Sequence, residues 1–447
     1  MRRKTIGGAC LVLLFSACVP VSAIDFSSAR QLAGYEPEEV NNLIVRPGPQ
    51  DSTLAVTWPL EGKTNGAPEA TDGNYILKMQ WTNEDDPCKV EIRHDWINSF
   101  FDLPDGGYIH LDVYLATESA EANIIGLWDI NWDNNWIATE CIPAKMRTNE
   151  WRTISFGMQT NTQSDVNRIE ATVFEQMRGP YGTIFLDNLR LGANQCNCLR
   201  KIKFGRYWWS VEQSDWQKGA GPNCYTDEPD DVFVDANGFL HMSIVYKDPN
   251  WYCSEVITNE SFGYGTYVYT VEGDTNLLDP NIVVGLFIFE ANDENEPPRE
   301  IDVELTKWGK PSDPNNAQYV IQPWRNLGNE YRYRIEYEHP NDVVTHVIKW
   351  KPQRVEFCSY RGPYISQPQG KDILDCWSYG GADIPEPNHE NPRINFYLMN
   401  GDAPQEAKNA HLIIRDFRYI PLGDIDDDED VDFVDFALFA EKWLIGK

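Results

Sequence analysis

Apolar and polar residues alternate with a period of two along most of this chain, the mark of strands with one buried and one wetted face. In the first half the alternation runs through 75–81, 108–115, 124–129, 151–156 and 183–191, between Gly, Asn and Asp turns. In the second half it returns at 239–246, 251–257, 264–271, 283–289, 299–306, 317–322, 332–337, 343–350, 355–360, 394–399 and 410–420. No sustained helical period interrupts either set. Short strands at this spacing predict an all-β protein with two β-sandwich domains in tandem. The expected divisions are a targeting segment over 1–23, a proline-broken lead-in over 24–56, sandwiches over 57–195 and 196–422, and a short acidic segment over 423–447.

One strand of the second sandwich carries an unusual face. In Glu300-Ile301-Asp302-Val303-Glu304, alternation sends Ile301 and Val303 to one side and all three carboxylates to the other. Crowded acids repel one another and raise each other's pKa values, which packing alone does not explain. Retaining hydrolysis of a glycosidic bond does, because it needs one carboxylate as nucleophile and a protonated one as acid, about 5–5.5 Å apart. Four residues of strand separate the Cα atoms of Glu300 and Glu304 by about 13 Å, and each side chain can close roughly 4 Å of that. Asp302, shorter and central, is placed to hydrogen-bond one glutamate and keep the pair in different protonation states. The spacing leaves open which glutamate plays which part.

Further landmarks flank the acid strand in order. They are Tyr264-Gly265-Thr266-Tyr267, Gly285-Leu286-Phe287, Gln318-Tyr319-Val320, His346 with Trp350, Val355-Glu356-Phe357, and Pro392-Arg393-Ile394-Asn395-Phe396-Tyr397-Leu398-Met399-Asn400-Gly401. Together, over roughly 200–421, they resemble glycoside hydrolase family 16, the clan of laminarinases, lichenases, agarases, carrageenases and xyloglucan-active enzymes. The resemblance implies a curved jelly roll with the acid strand on the floor of a concave cleft. It implies Glu300 as nucleophile, Asp302 as its assisting partner and Glu304 as general acid/base, with no cofactor for catalysis. Where lichenases carry an aromatic residue two positions before the nucleophile, this chain has Pro298, so β-glucan and marine galactan both stay open as substrates. Transglycosylation would use the same triad. A non-catalytic carbohydrate-binding protein is the rival of another class, and three intact acids argue against it.

Several residues are expected to touch substrate. Trp308, four beyond Glu304, faces the cleft on a regular strand, and Gln318, Gln322 and Trp324 share a face of the next one. Trp208, Trp209 and Trp377 fall in expected loops, where cleft walls are built. Arg299, with Arg206 and Lys307, is a candidate for a sulfate or uronate group. The 16 Trp, 21 Tyr and 19 Phe suit stacking on sugar rings, and a formal charge of −31 argues against nucleic acid as a partner.

The first sandwich closes on Thr183-Ile184-Phe185-Leu186-Asp187-Asn188-Leu189-Arg190-Leu191 and there resembles the jelly-roll carbohydrate-binding modules. Trp96, Trp128, Trp132 and Trp136 are its candidate stacking residues, and Asp187 either binds a structural calcium or caps the strand. At the start of the chain Arg2, Arg3 and Lys4, an apolar run over 6–21 and Val21-Ser22-Ala23 predict an export signal and a secreted or periplasmic protein. Phe15-Ser16-Ala17-Cys18 is the alternative, a lipid anchor on Cys18. No later apolar run is long enough to be a transmembrane segment. Expected disulfides pair Cys88 with Cys141, Cys224 with Cys253 and Cys358 with Cys376, while Cys196-Asn197-Cys198 lacks the spacing of a zinc site.

In the final segment Asp424, Asp426, Asp428, Asp432 and Asp435 fall at positions 1, 3, 5, 9 and 12 of an EF-hand-like loop, with Asp430 between. The segment resembles half a dockerin, implying bound Ca2+ and a cohesin-like partner. It departs from that pattern at Glu429, where Gly is usual, and at Asp435, where Glu is.

Overall fold

The structure, a computed structural model, describes residues 30–33, 43–47, 53–63, 67–71, 75–82, 88–95, 101–103, 108–116, 123–132, 135–141, 148–157, 163–166, 168–178, 181–192, 199–290, 299–366, 368, 370–424, 431–433 and 435. Their regular secondary structure is almost entirely β-strand. No helix among them is long and apolar enough to cross a membrane.

The C-terminal half is a sandwich of two antiparallel sheets. One runs in order through Tyr207–Val211, Asn250–Thr258, Asn391–Leu398, Ile282–Glu290, Arg299–Thr306, Ala317–Ile321 and Glu330–Tyr333. The other runs through Val232–Val234, Leu240–Lys247, Ala410–Pro421, Gly265–Glu272, Val343–Lys351, Arg354–Arg361 and Ile373–Tyr379. Alternation gives each strand one core side chain in two. Ile301, Val303 and Leu305 join Leu286, Ile288, Ile394, Phe396, Tyr267, Tyr269, Ile348 and Trp350 in one buried cluster. Each such aliphatic or aromatic burial contributes roughly 1.5–3 kcal/mol, so the apolar half of the acid strand pins its register.

The N-terminal sandwich pairs Thr53–Glu61, Tyr75–Thr82, Tyr181–Gly192, Tyr108–Leu115 and Trp151–Gly157 in one sheet. Its second sheet runs Leu43–Pro47, Cys88–Asp95, Arg168–Arg178, Asn123–Trp132 and Asn135–Cys141. The expected lead-in is therefore partly strand. Arg30–Ala33 pairs with the closing strand, and Leu43–Pro47 forms a sheet edge, where a proline that lacks its N–H is tolerated.

The two halves are joined by hydrogen-bonded sheet. Trp151 pairs with Lys201 and Arg152 with Arg200, and Arg200–Phe204 then pairs with Tyr207–Val211. Lys201 is buried and its Nζ lies 2.6 Å from Asp112 Oδ2, which also accepts from Thr71 Oγ1 at 2.9 Å. Asp187, the calcium candidate, is opposite Asp112 and accepts from the Thr71 amide at 2.6 Å and the Asn188 amide at 2.8 Å. Protein donors thus surround this carboxylate.

Cys358 and Cys376 oppose each other and form a disulfide. Cys224 and Cys253 are free and buried, against expectation. Their parallel register sets Cys224 opposite Tyr252 and Cys253 opposite Tyr225, so alternation aims the two thiols at opposite faces. Cys88 and Cys141, the third expected pair, lie on Cys88–Asp95 and Asn135–Cys141, strands with two others between them.

Candidate active site

The acid face of Arg299–Thr306 looks away from the core, across a floor built row by row from neighbouring strands. Glu304 lies between Gln318 and Gly285, and that row continues through Asn395 to Glu255. Asp302 lies between Val320 and Phe287, and its row continues to Arg393. Glu300 faces Phe289. Asp302 is buried, whereas Glu300 and Glu304 keep part of their surface open.

Burial dominates the electrostatics here. It raises Glu300, with the Asp302 hydrogen bond and the Arg393 charge pulling back down. It pushes Asp302 well above the carboxylate range, helped by the charges of Glu300 and Glu304. Glu304 is pushed up to about 7 by burial and the Glu300 and Glu330 charges, against hydrogen bonds from Gln318 and Tyr397. A proton on Asp302 donated to Glu300 leaves Glu300 the anionic member of the row, and Glu304 holds its own proton up to neutral pH. The arrangement sets an anionic carboxyl beside one that keeps its proton.

The expected contact residues divide. Gln318 Nε2 donates to Glu304 Oε2 at 2.6 Å, and Gln322 hydrogen-bonds Asp302. Trp308 does reach the site, its Nε1 donating to Gln318 Oε1 at 3.0 Å, but from a turn: the strand ends at Thr306, and Trp308 has φ 48°. Trp324 follows the end of the Ala317–Ile321 strand and is exposed, its amide donating to Gln322 Oε1 at 2.9 Å.

Four expectations are corrected. Trp209 is wholly buried in the core, its Nε1 donating to Phe204 O. Trp208, on the opposite face of the same strand, packs at the junction and donates to Ala70 O at 2.9 Å. Both belong to Tyr207–Val211, a strand and no loop, so neighbouring residues must face opposite ways. Trp377 lies on the strand Ile373–Tyr379 and stacks with Phe357 and Tyr331 against the core. Arg299 alternates with Ile301 onto the face opposite the acids and pairs with Glu290 at 3.4 Å. A lone basic residue beside a triad says nothing of its face until its parity is counted.

Alternation brings further residues, not expected from the sequence, to the same floor. Arg393, Asn395 and Tyr397 stand at i, i+2 and i+4 of Asn391–Leu398, the same pattern that singles out the acids, and all face the floor. Glu255 joins them from the next strand.

In the tail Asp426, Asp428 and Asp430 lie outside the described residues. Asp424, Asp432 and Asp435 are described, and Asp435 Oδ2 accepts from the Asp432 amide at 2.8 Å. Trp96 lies outside the description too, while Trp128, Trp132 and Trp136 lie on the paired strands Asn123–Trp132 and Asn135–Cys141. Among the described residues no group of three or more His, Cys, Asp or Glu is placed to hold a metal ion.

No protein-family model matches the chain. A "Beta-glucanase" of Acetivibrio thermocellus is 28% identical over 258 residues, covering 52% of this chain and 73% of the relative. A second "Beta-glucanase", from a named strain of the same organism, is 26% identical over 258 residues with the same coverage. Among solved structures, the Bacillus licheniformis beta-glucanase aligns with 48% of this chain and 94% of its own at 15% identity and a TM-score of 0.37. A prokaryotic beta-1,3-1,4-glucanase (lichenase) derived from a mouse hindgut metagenome aligns with 48% and 93% at 17% identity and a TM-score of 0.35.

Proposed function

We propose that the chain is an exported, endo-acting glycoside hydrolase of the family 16 type, cleaving internal β-linkages of a β-glucan by double displacement with retention. The observation that carries this reading is the row Glu300, Asp302, Glu304 on one face of a strand whose other face is locked in the core. In the first step Glu300 attacks the anomeric carbon while Glu304 gives its proton to the departing glycosidic oxygen, leaving a glycosyl ester on Glu300. Glu304, now a base, takes a proton from water, whose oxygen attacks the same carbon and frees Glu300.

Two observations favour a neutral glucan over a sulfated galactan. The relatives with the greater identity are β-glucanases. Arg299, expected to meet an anionic substituent, turns to the other face and pairs with Glu290. The N-terminal sandwich would hold the enzyme near its polymer by raising effective concentration. Calcium in the acidic tail and attachment to a cohesin-like partner complete the proposal, on the spacing of the tail acids.

The test is to incubate the protein and its Glu300→Ala variant with laminarin, lichenan, agarose, porphyran, carrageenan and xyloglucan and measure new reducing ends. Products from the parent alone on a β-glucan are expected. Binding without products from any polymer would instead make it a carbohydrate-binding protein, and products longer than the substrate would make it a transglycosylase.

A further inference from the structure

The floor of the cleft holds a cation that catalysis as described above leaves without a role. Arg393 lies on the same face as the acids, two strands from Asp302. Its guanidinium carbon sits 4.5 Å from the ring centroid of Phe289, and Phe289 is the cross-strand neighbour of Glu300. On its far side Arg393 Nη1 donates to Glu255 Oε1 at 3.2 Å. The side chain is therefore held from two directions, by a carboxyl group behind it and, beside it, by the ring of the residue that neighbours Glu300.

We propose that Arg393 is a positioning residue that keeps Glu300 anionic for attack, clamped by Glu255 and Phe289. This rests on the hydrolase reading above. Burial alone would hand Glu300 a proton, and a protonated carboxyl cannot attack the anomeric carbon. The other groups facing Glu300 do not offer a compensating charge. Asp302 and Glu304 on its own strand are acids, and Gly285, Phe287 and Phe289 on one neighbouring strand are uncharged. Gln318 and Gln322 on the other side are neutral, and Tyr397 is a phenol held protonated by burial. One strand further on, Glu330 is another acid, and the cation Arg332, in the row of Glu304, is paired with Asp313 at 3.1 Å and Glu330 at 3.7 Å.

Glu255 does not cancel the cation. Only one of the guanidinium's nitrogens donates to it, and the buried Arg393 Nε meets no protein acceptor. Burial and the Glu212 charge hold Glu255 up to about 7 against the pull of Arg393 and Lys218. Below neutral pH it anchors Arg393 as a neutral acid.

The test compares full-length protein with Arg393→Met, Arg393→Lys and Glu255→Gln. On the glucan that the parent cleaves, the acidic limb of the kcat/KM profile should move up by about one pH unit in Arg393→Met, a tenfold loss on that limb, with the alkaline limb in place. Arg393→Lys should fall between the two, and Glu255→Gln should keep the parent's limb. Isotope-edited infrared titration of the carboxyls, with Glu300→Gln to identify the Glu300 band, reads the same shift without turnover. An equal loss at every pH, or a Glu300 band that titrates alike in parent and Arg393→Met, overturns the proposal. If the parent cleaves no polymer the hydrolase reading falls, while the infrared titration still decides whether Arg393 sets the charge of Glu300. Should Arg393→Met fail to fold, Arg393→Lys carries both comparisons.

Discussion

The amide of Gln318 bridges Glu304 and the indole of Trp308, donating to the first at 2.6 Å and accepting from the second at 3.0 Å. A donor to a carboxylate favours its ionised form, so Gln318 holds Glu304 lower than burial would. Gln318→Leu should raise Glu304 above about 7 and shift the alkaline limb of the pH–rate profile upward. A hydrogen bond to a charged group is worth roughly 1.5–3 kcal/mol, so a shift on the order of one pH unit is expected. The profile of the variant, measured beside the parent, checks it.

The two glutamates should be separable by a small external nucleophile. On the proposed mechanism Glu300→Ala removes the nucleophile and leaves room for a small anion, so added azide should restore cleavage of an activated aryl glycoside and give the inverted glycosyl azide. On the same mechanism Glu304→Ala removes the acid and leaves Glu300 in place, and azide should then give the retained azide. NMR of the products reads the configuration, and the opposite pattern would exchange the two roles.

Gly285 leaves no space for a side chain. A Cβ there would collide with Asn395 Oδ1, because the Asn395 amide rests over this glycine beside Glu304. Gly285→Ala should displace Asn395, lowering stability by about 1–3 kcal/mol and kcat/KM several-fold. Urea unfolding and kinetics on the same sample would show both.

Keeping Glu304 protonatable has a consequence for stability. Its pKa is about 7 in the fold and about 4.3 in an unfolded chain, so between those values the folded state binds more protons. Stability therefore falls as pH rises through that window. Glu304→Gln, neutral at every pH, should be more stable than the parent at pH 8, by on the order of 1–3 kcal/mol, and nearly equal to it at pH 4. Urea midpoints at the two pH values are the measurement.

Lys201 tests the junction. Its buried ammonium lies 2.6 Å from the buried Asp112 carboxylate. Lys201→Met should lower stability by about 3–5 kcal/mol, because removing one partner strands the other's charge. A loss confined to the first sandwich, seen as a separate unfolding transition, would show that the two halves do not unfold together.

Part of this protein is local in origin. Strand alternation depends only on neighbouring residues, so the β class, the acid face of 299–306 and its apolar back are legible in the chain itself. The same count places Arg393, Asn395 and Tyr397 on one face, though not which face that is.

Tertiary pairing decided the rest. Trp208 and Trp209 are adjacent in sequence, yet one packs at the junction and the other fills the core, because a strand sends neighbours to opposite sides and only its sheet partners determine what lies there. Glu255 and Arg393 are 138 residues apart and meet because Asn250–Thr258 pairs with Asn391–Leu398. The composition supplied the acids and aromatics, and the local period supplied their faces. Long-range register decided which of them share the floor with Glu300, because burial and neighbouring charge, the quantities that set a carboxyl's protonation, exist only once distant strands have paired.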